Sequence, residues 1–162
     1  MNEVLGTLTG VEMSGIKSDV FKIYVTPDAL HFARVADRAY KEATESGALG
    51  AALLGMGGVF VMRFKIKPSI EKRQALEARF DSTAPGSPEF LALDARSFSL
   101  PASDVTGARL EKRDPNNGPQ FFGTLELSLP TGTRRFQLCG GAPGDAESLL
   151  RRVLPNVQGT LS

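Results

Sequence analysis

The chain has 162 residues, of which 41% are hydrophobic and 23% charged, the balance of a globular protein long enough to build a core of its own. Nineteen basic against eighteen acidic residues leave a formal charge of +1, which argues against a dedicated nucleic-acid binder with its usual basic excess. A single cysteine, Cys139, excludes an internal disulfide framework, and Met1-Asn2-Glu3 opens no basic-then-apolar leader, so a cytoplasmic location is the expectation.

Residues 1–17 mix Val4, Leu8, Val11, Met13 and Ile16 with three glycines, a pattern open to a short strand or an irregular arm. Val20 to Thr26 alternates as a strand, with Phe21, Ile23 and Val25 facing one way and Lys22 and Tyr24 the other. Pro27-Asp28-Ala29 reads as a turn, because proline presets φ and the aspartate bonds the backbone beyond it. Leu30 to Val35 returns as the second strand of a hairpin, Leu30 and Phe32 sharing a face. Asp37 then caps a charged segment to Glu45, expected to be helical.

From Ser46 to Met62 there is no charge at all, and five glycines punctuate the run before Arg63, Lys65 and Lys67. Ser69 can cap a helix through Phe80, in which Leu76 and Phe80 lie one turn apart. A loop of Ser, Pro and Gly and a short helix around Glu89 to Leu93 follow.

Leu93 to Pro155 is the most regular stretch. Phe98 and Leu100 mark its first alternating run, Phe121, Gly123, Leu125, Leu127 and Leu129 a later one, and Phe136 and Leu138 the last. Asn117-Gly118 reads as the positive-φ pair of a tight hairpin turn. Asp145 can cap a closing helix whose Leu149, Leu150, Val153 and Leu154 share a face before Pro155 stops it. The expectation is a β-meander with a helix over its open side.

The hairpin Phe21-Lys22-Ile23-Tyr24-Val25-Thr26-Pro27-Asp28-Ala29-Leu30, the strand Ser97-Phe98-Ser99-Leu100-Pro101 running on to Val105, and the closing strands Gly123-Thr124-Leu125-Glu126-Leu127, Gly132 and Phe136 resemble bacterial pleckstrin-homology-like domains. The resemblance implies an α+β, mainly β fold. It would be a split β-barrel of about seven strands, or two packed antiparallel sheets, capped by a C-terminal helix. A single domain over 1–162 would then carry a helical, glycine-rich insertion at 37–93 after the first hairpin.

Chemistry is sparse. His31 and Cys139 are each the sole residue of their type, so a Cys–His nucleophilic pair would need the fold to bring them together. Cys139 reads as an ordinary half-buried thiol and His31 as a surface residue of the hairpin. Neither a metal-ligand cluster nor a cofactor motif is present, and Gly140–Gly144 lacks the lysine of a phosphate loop. The Pro27–Ala29 loop, taken as the one between the first two strands, carries an acid and no base, against phosphoinositide binding by that route. Arg134-Arg135, Arg151-Arg152, and Arg109 with Lys112 and Arg113 offer other basic groupings.

These readings converge on a non-enzymatic binding or assembly module whose partner is another protein or a second copy of itself. The uncharged run supplies the candidate surface: Gly47, Ala51, Leu53, Leu54, Gly55, Met56, Val59 and Phe60, with Gly47, Ala51 and Gly55 spaced for close helix packing. A peripheral membrane protein that buries this run in lipid is the second reading. The run is too short and too rich in glycine for a spanning helix.

Overall fold

The computed structural model describes residues 3–14, 17–36, 67–116 and 118–162. Expectations that fall on 37–66, the helix from Asp37 and all eight candidate surface residues among them, lie outside the described residues.

Strands β1 (Gly6–Ser14), β2 (Lys17–Thr26) and β3 (Ala29–Ala36) open the fold. Helices α1 (Lys67–Asp81) and α2 (Pro88–Ala92) precede β4 (Phe98–Pro101). After a 3-10 turn at Ala102–Asp104 come β5 (Gly107–Lys112), β6 (Phe121–Leu129), β7 (Gly132–Cys139), helix α3 (Pro143–Val153) and β8 (Val157–Gly159). They form one eight-stranded open sheet in the order β4-β3-β2-β1-β7-β6-β5-β8. The α+β, mainly β class holds, with one continuous sheet in place of two packed ones. The two halves join along β1, which pairs antiparallel with both β2 and β7.

The expected hairpin is present as β2–β3, with Phe21, Ile23 and Val25 facing the core and Tyr24 the opposite side. It is the second hairpin, however, because the undecided N-terminal stretch is a full strand. Gly10 sits in a tight place there, since a Cβ would lie 3.3 Å from both Ile23 and Phe136 side-chain carbons. The insertion therefore follows the third strand, and the loop read for phosphoinositide binding joins β2 to β3. The β1–β2 turn contains residues 15 and 16, outside the described residues.

The expected meander is also divided. Its first run, β4, pairs with β3 rather than β5, so only β5, β6 and β7 run on as neighbours. Pairing alone cannot be read from alternation, and here the 3-10 turn carries the chain from one edge of the sheet toward the other.

Both faces of the first half are covered. Inside, Phe32 stacks on Phe98 at 4.4 Å between ring centroids and on Phe136 at 5.0 Å, with Phe21 edge-on to all three. Helix α3 closes this core with Ala146, Leu150 and Val153 at one helical stripe. Outside, Phe80 of α1 and Phe90 of α2 are fully buried against Val20, Tyr24, Ala33 and Val35, each ring contributing about 1.5–3 kcal/mol by burial. That is why β3 is buried on both faces and reads as nearly continuous hydrophobic sequence.

Local signals were less faithful. Ser69 lies inside α1, whose first turn tolerates Pro68 because the N–H groups there have no helical partner. Ala142, not Asp145, is the N-cap of α3; Pro143 fixes the first turn and leaves Asp145 within it. Strand β5 ends at Lys112 and β6 begins at Phe121, and the tight turn expected at Asn117-Gly118 falls on residue 117, outside the described residues.

Candidate functional site

Helix α3 ends where Leu154 caps it, and Pro155 prevents its continuation. Asn156, at φ 55°, turns the chain back, and Val157 to Gly159 then add to β5 in parallel, Ala108 opposite Val157 and Leu110 opposite Gly159. This strand occupies a groove between β5 and α3, and two residues of the helix grip it. Arg151 Nη1 donates to the Val157 carbonyl at 2.8 Å and Nη2 to the Gly159 carbonyl. Glu147 Oε2 accepts from Thr160 Oγ1 at 3.0 Å and from the Leu161 backbone N–H at 3.2 Å. Glu147 and Arg151 also bond each other at 2.9 Å, so each holds the other in position. The bonds from Arg151 and from the Leu161 amide hold the Glu147 carboxyl below its ordinary range.

The fit is built from both sides. Gly159, at φ 78°, approaches the Leu110 backbone so closely that a side chain would strike the Leu110 carbonyl oxygen. Gly123 of β6 leaves the space that the Leu161 side chain fills, and Leu161 is buried in the main core. The groove thus accepts backbone, a hydroxyl and one aliphatic side chain, in the order Gly-Thr-Leu. The sequence carried two signals for it that went unused: the i, i+4 pair Glu147–Arg151, and an apolar-polar segment after the helix-ending proline.

His31 is not a surface residue. It is buried on the α2 side of β3, its Nδ1 2.7 Å from Ser99 Oγ and its Nε2 3.2 Å from Thr26 Oγ1. Phe90 packs edge-on to the ring, and a Cβ on Gly86 would lie 2.6 Å from Cε1. Burial lowers the His31 pKa, with the Asp28 charge opposing. The surface reading failed because covering by α2 comes from residues far along the chain. Cys139 is half-buried as expected, and burial pushes its thiol up to about 11, against a weaker pull from Arg73. It is protonated at neutral pH and a poor nucleophile. Among the described residues no hydrogen bond links it to His31.

Four members of the basic groupings, Arg109, Arg134, Arg135 and Arg151, lie against carboxylates. Arg134 bonds Glu12 through two nitrogens, at 2.6 and 2.7 Å, and its guanidinium lies 3.9 Å above the Phe98 ring. Arg135 bonds Glu111, and Arg109 lies 3.4 Å from the same carboxylate. Gly140 and Gly141 both take positive φ and line a cleft of about 410 Å³ between the start of β1 and α3, with Asp145 and Arg152 at its rim. Among the described residues, no group of three His, Cys, Asp or Glu side chains is placed to hold a metal ion. No described helix is long and apolar enough to cross a membrane. Compared with protein-family models, with curated proteins and with solved structures, the chain shows no match.

Proposed function

We propose that the chain is a non-enzymatic binding or assembly module of pleckstrin-homology-like architecture, working through protein–protein contacts or self-association. The observation that carries this reading is an open sheet, ordered β4-β3-β2-β1-β7-β6-β5 with α3 across its inner face, that takes one further strand into the groove beside β5. A groove that satisfies an extended backbone by main-chain pairing is the usual physical basis of strand addition. The two residues that could have suggested nucleophilic chemistry have other roles: His31 ties β3 to β4 and to the end of β2, and the Cys139 thiol stays protonated.

Light scattering with and without anionic vesicles tests the proposal. A mass above the 17.3 kDa monomer that rises with concentration and ignores vesicles is the expected result. A protein that stays monomeric at high concentration and captures no protein partner overturns it. Sedimentation with vesicles would move the function to a lipid surface.

A further inference from the structure

The segment after α3 is held by hydrogen bonds to β5 and α3, none of them to the connecting residues 154–156. Its main chain pairs with β5, its carbonyls accept from Arg151, and Thr160 and the Leu161 amide donate to Glu147. Any copy of Val157–Leu161 delivered in the same direction would meet the same partners. Strand β8 also runs parallel to β5, so it is an added strand and not the return of a hairpin.

The connection from helix to strand is short, with Leu154 buried in the core and Pro155 and Asn156 exposed. Only Leu154, Pro155 and Asn156 lie between the end of α3 and the start of β8. Asn156 is the one non-glycine residue with positive φ among the described residues. Straightening this reversal removes the left-handed conformation and aims the strand away from its own body. Short hinges beside a well-fitted element are a common setting for exchange between identical chains.

We propose that the α3–β5 groove is a strand-receiving site whose ligand in trans is the 157–161 segment of a second copy, so that two molecules exchange β8 reciprocally. The proposal rests on the assembly reading above and names the surface through which assembly occurs. Exchange conserves every contact of the groove, so it costs no pairing, and reciprocity closes the assembly at two chains. The partner is restricted by shape: position 159 admits only glycine beside Leu110, and position 161 needs an aliphatic side chain in the space left by Gly123.

Two broken variants test this by complementation. Leu161→Asp spoils the segment and leaves the groove intact, whereas the double variant Glu147→Ala/Arg151→Ala spoils the groove and leaves the segment intact. Each is measured alone and mixed in equal amounts at high concentration, by light scattering and circular dichroism. The expected result is a dimeric wild type, two folded monomeric variants, and a mixture that recovers dimer with at least tenfold stronger association than either variant alone. If circular dichroism shows that either variant is unfolded, Leu161→Ala and Arg151→Lys replace them in the same mixing experiment. As a direct readout of the groove, a labelled peptide Asn-Val-Gln-Gly-Thr-Leu-Ser should bind the Leu161→Asp chain and not the groove variant. A mixture that remains monomeric overturns the exchange. A wild type whose assembly survives both sets of changes also overturns it while leaving the assembly reading in place, and a wild type that never assembles removes both.

Discussion

Leu161 fills the space that any side chain at Gly123 would need. The two residues come from elements that are not sheet neighbours, β6 and the segment after β8, so the contact joins the closing segment to the interior of the sheet. A Cβ at 123 would also lie 2.6 Å from the Glu111 carbonyl oxygen of β5. Gly123→Ala should therefore destabilise by about 1–3 kcal/mol through overpacking, read by urea denaturation. In a Leu161→Ala background the same change should cost less, because one of its two obstacles is gone. Equal costs in the two backgrounds would show that the residues are not coupled.

The Leu150 side chain is fully buried beneath α3, and Val153 is buried one turn on. Leu150→Ala should lower stability by about 2–4 kcal/mol, since a close-packed core collapses only partly into the space left. An unchanged melting temperature would mean that α3 does not close the core.

The Tyr24 hydroxyl donates to Asp81 at 2.5 Å, and Lys22 Nζ reaches the same carboxylate oxygen at 2.8 Å. Burial raises the Tyr24 pKa, and Asp81 adds to it. For Asp81, burial acts upward but the bonds from Lys22 and Tyr24 outweigh it, and its pKa falls. Tyr24→Phe should cost about 1.5–3 kcal/mol, the range for a hydrogen bond to a charged group, and should loosen the end of α1. Amide exchange at the last turn of α1 should speed up in the variant; unchanged exchange would place the anchor of that helix elsewhere, in the Phe80 contact.

His31 carries a pH dependence with a definite sign. Its folded pKa lies below the 6.5 of the free side chain, so the unfolded chain takes up a proton first as pH falls. Its contribution is complete above that value and declines below it, until the folded form is protonated as well. The slope from one such group is at most about 1.4 kcal/mol per pH unit. Urea midpoints between pH 7 and 5 should fall more steeply for the wild type than for His31→Asn. Parallel curves would show that another group is responsible.

Alternation made β6 and β7 legible, because Leu125, Leu127, Phe136 and Leu138 are all buried in the core, and a nearly continuous apolar run did the same for β3. The covering of the other face was not legible. Phe80 belongs to a helix with no continuous apolar stripe and Phe90 to one of five residues, and nothing local says that they lie on Tyr24 and His31. The same gap misplaced His31 and hid the partner of β4, because register and neighbour choice are set by contacts across many residues. The groove went unseen for a related reason. Gly123 and Gly159 look like ordinary breaks in strands until Leu161 and Leu110 are seen to occupy the spaces they leave.

Strand β1 lends one edge to each half of the sheet, and its second partner comes late: Glu12 meets Arg134 across 122 positions of sequence. During synthesis the hairpins of the first half can form while that edge still waits for Gly132–Cys139 to leave the ribosome. An unpaired strand edge is a template for wrong partners, and late long-range pairing is slow. The nascent chain is therefore most prone to aggregation in the interval between completion of β4 and emergence of β7. A stall placed within that interval should be the one at which chaperone dependence is greatest.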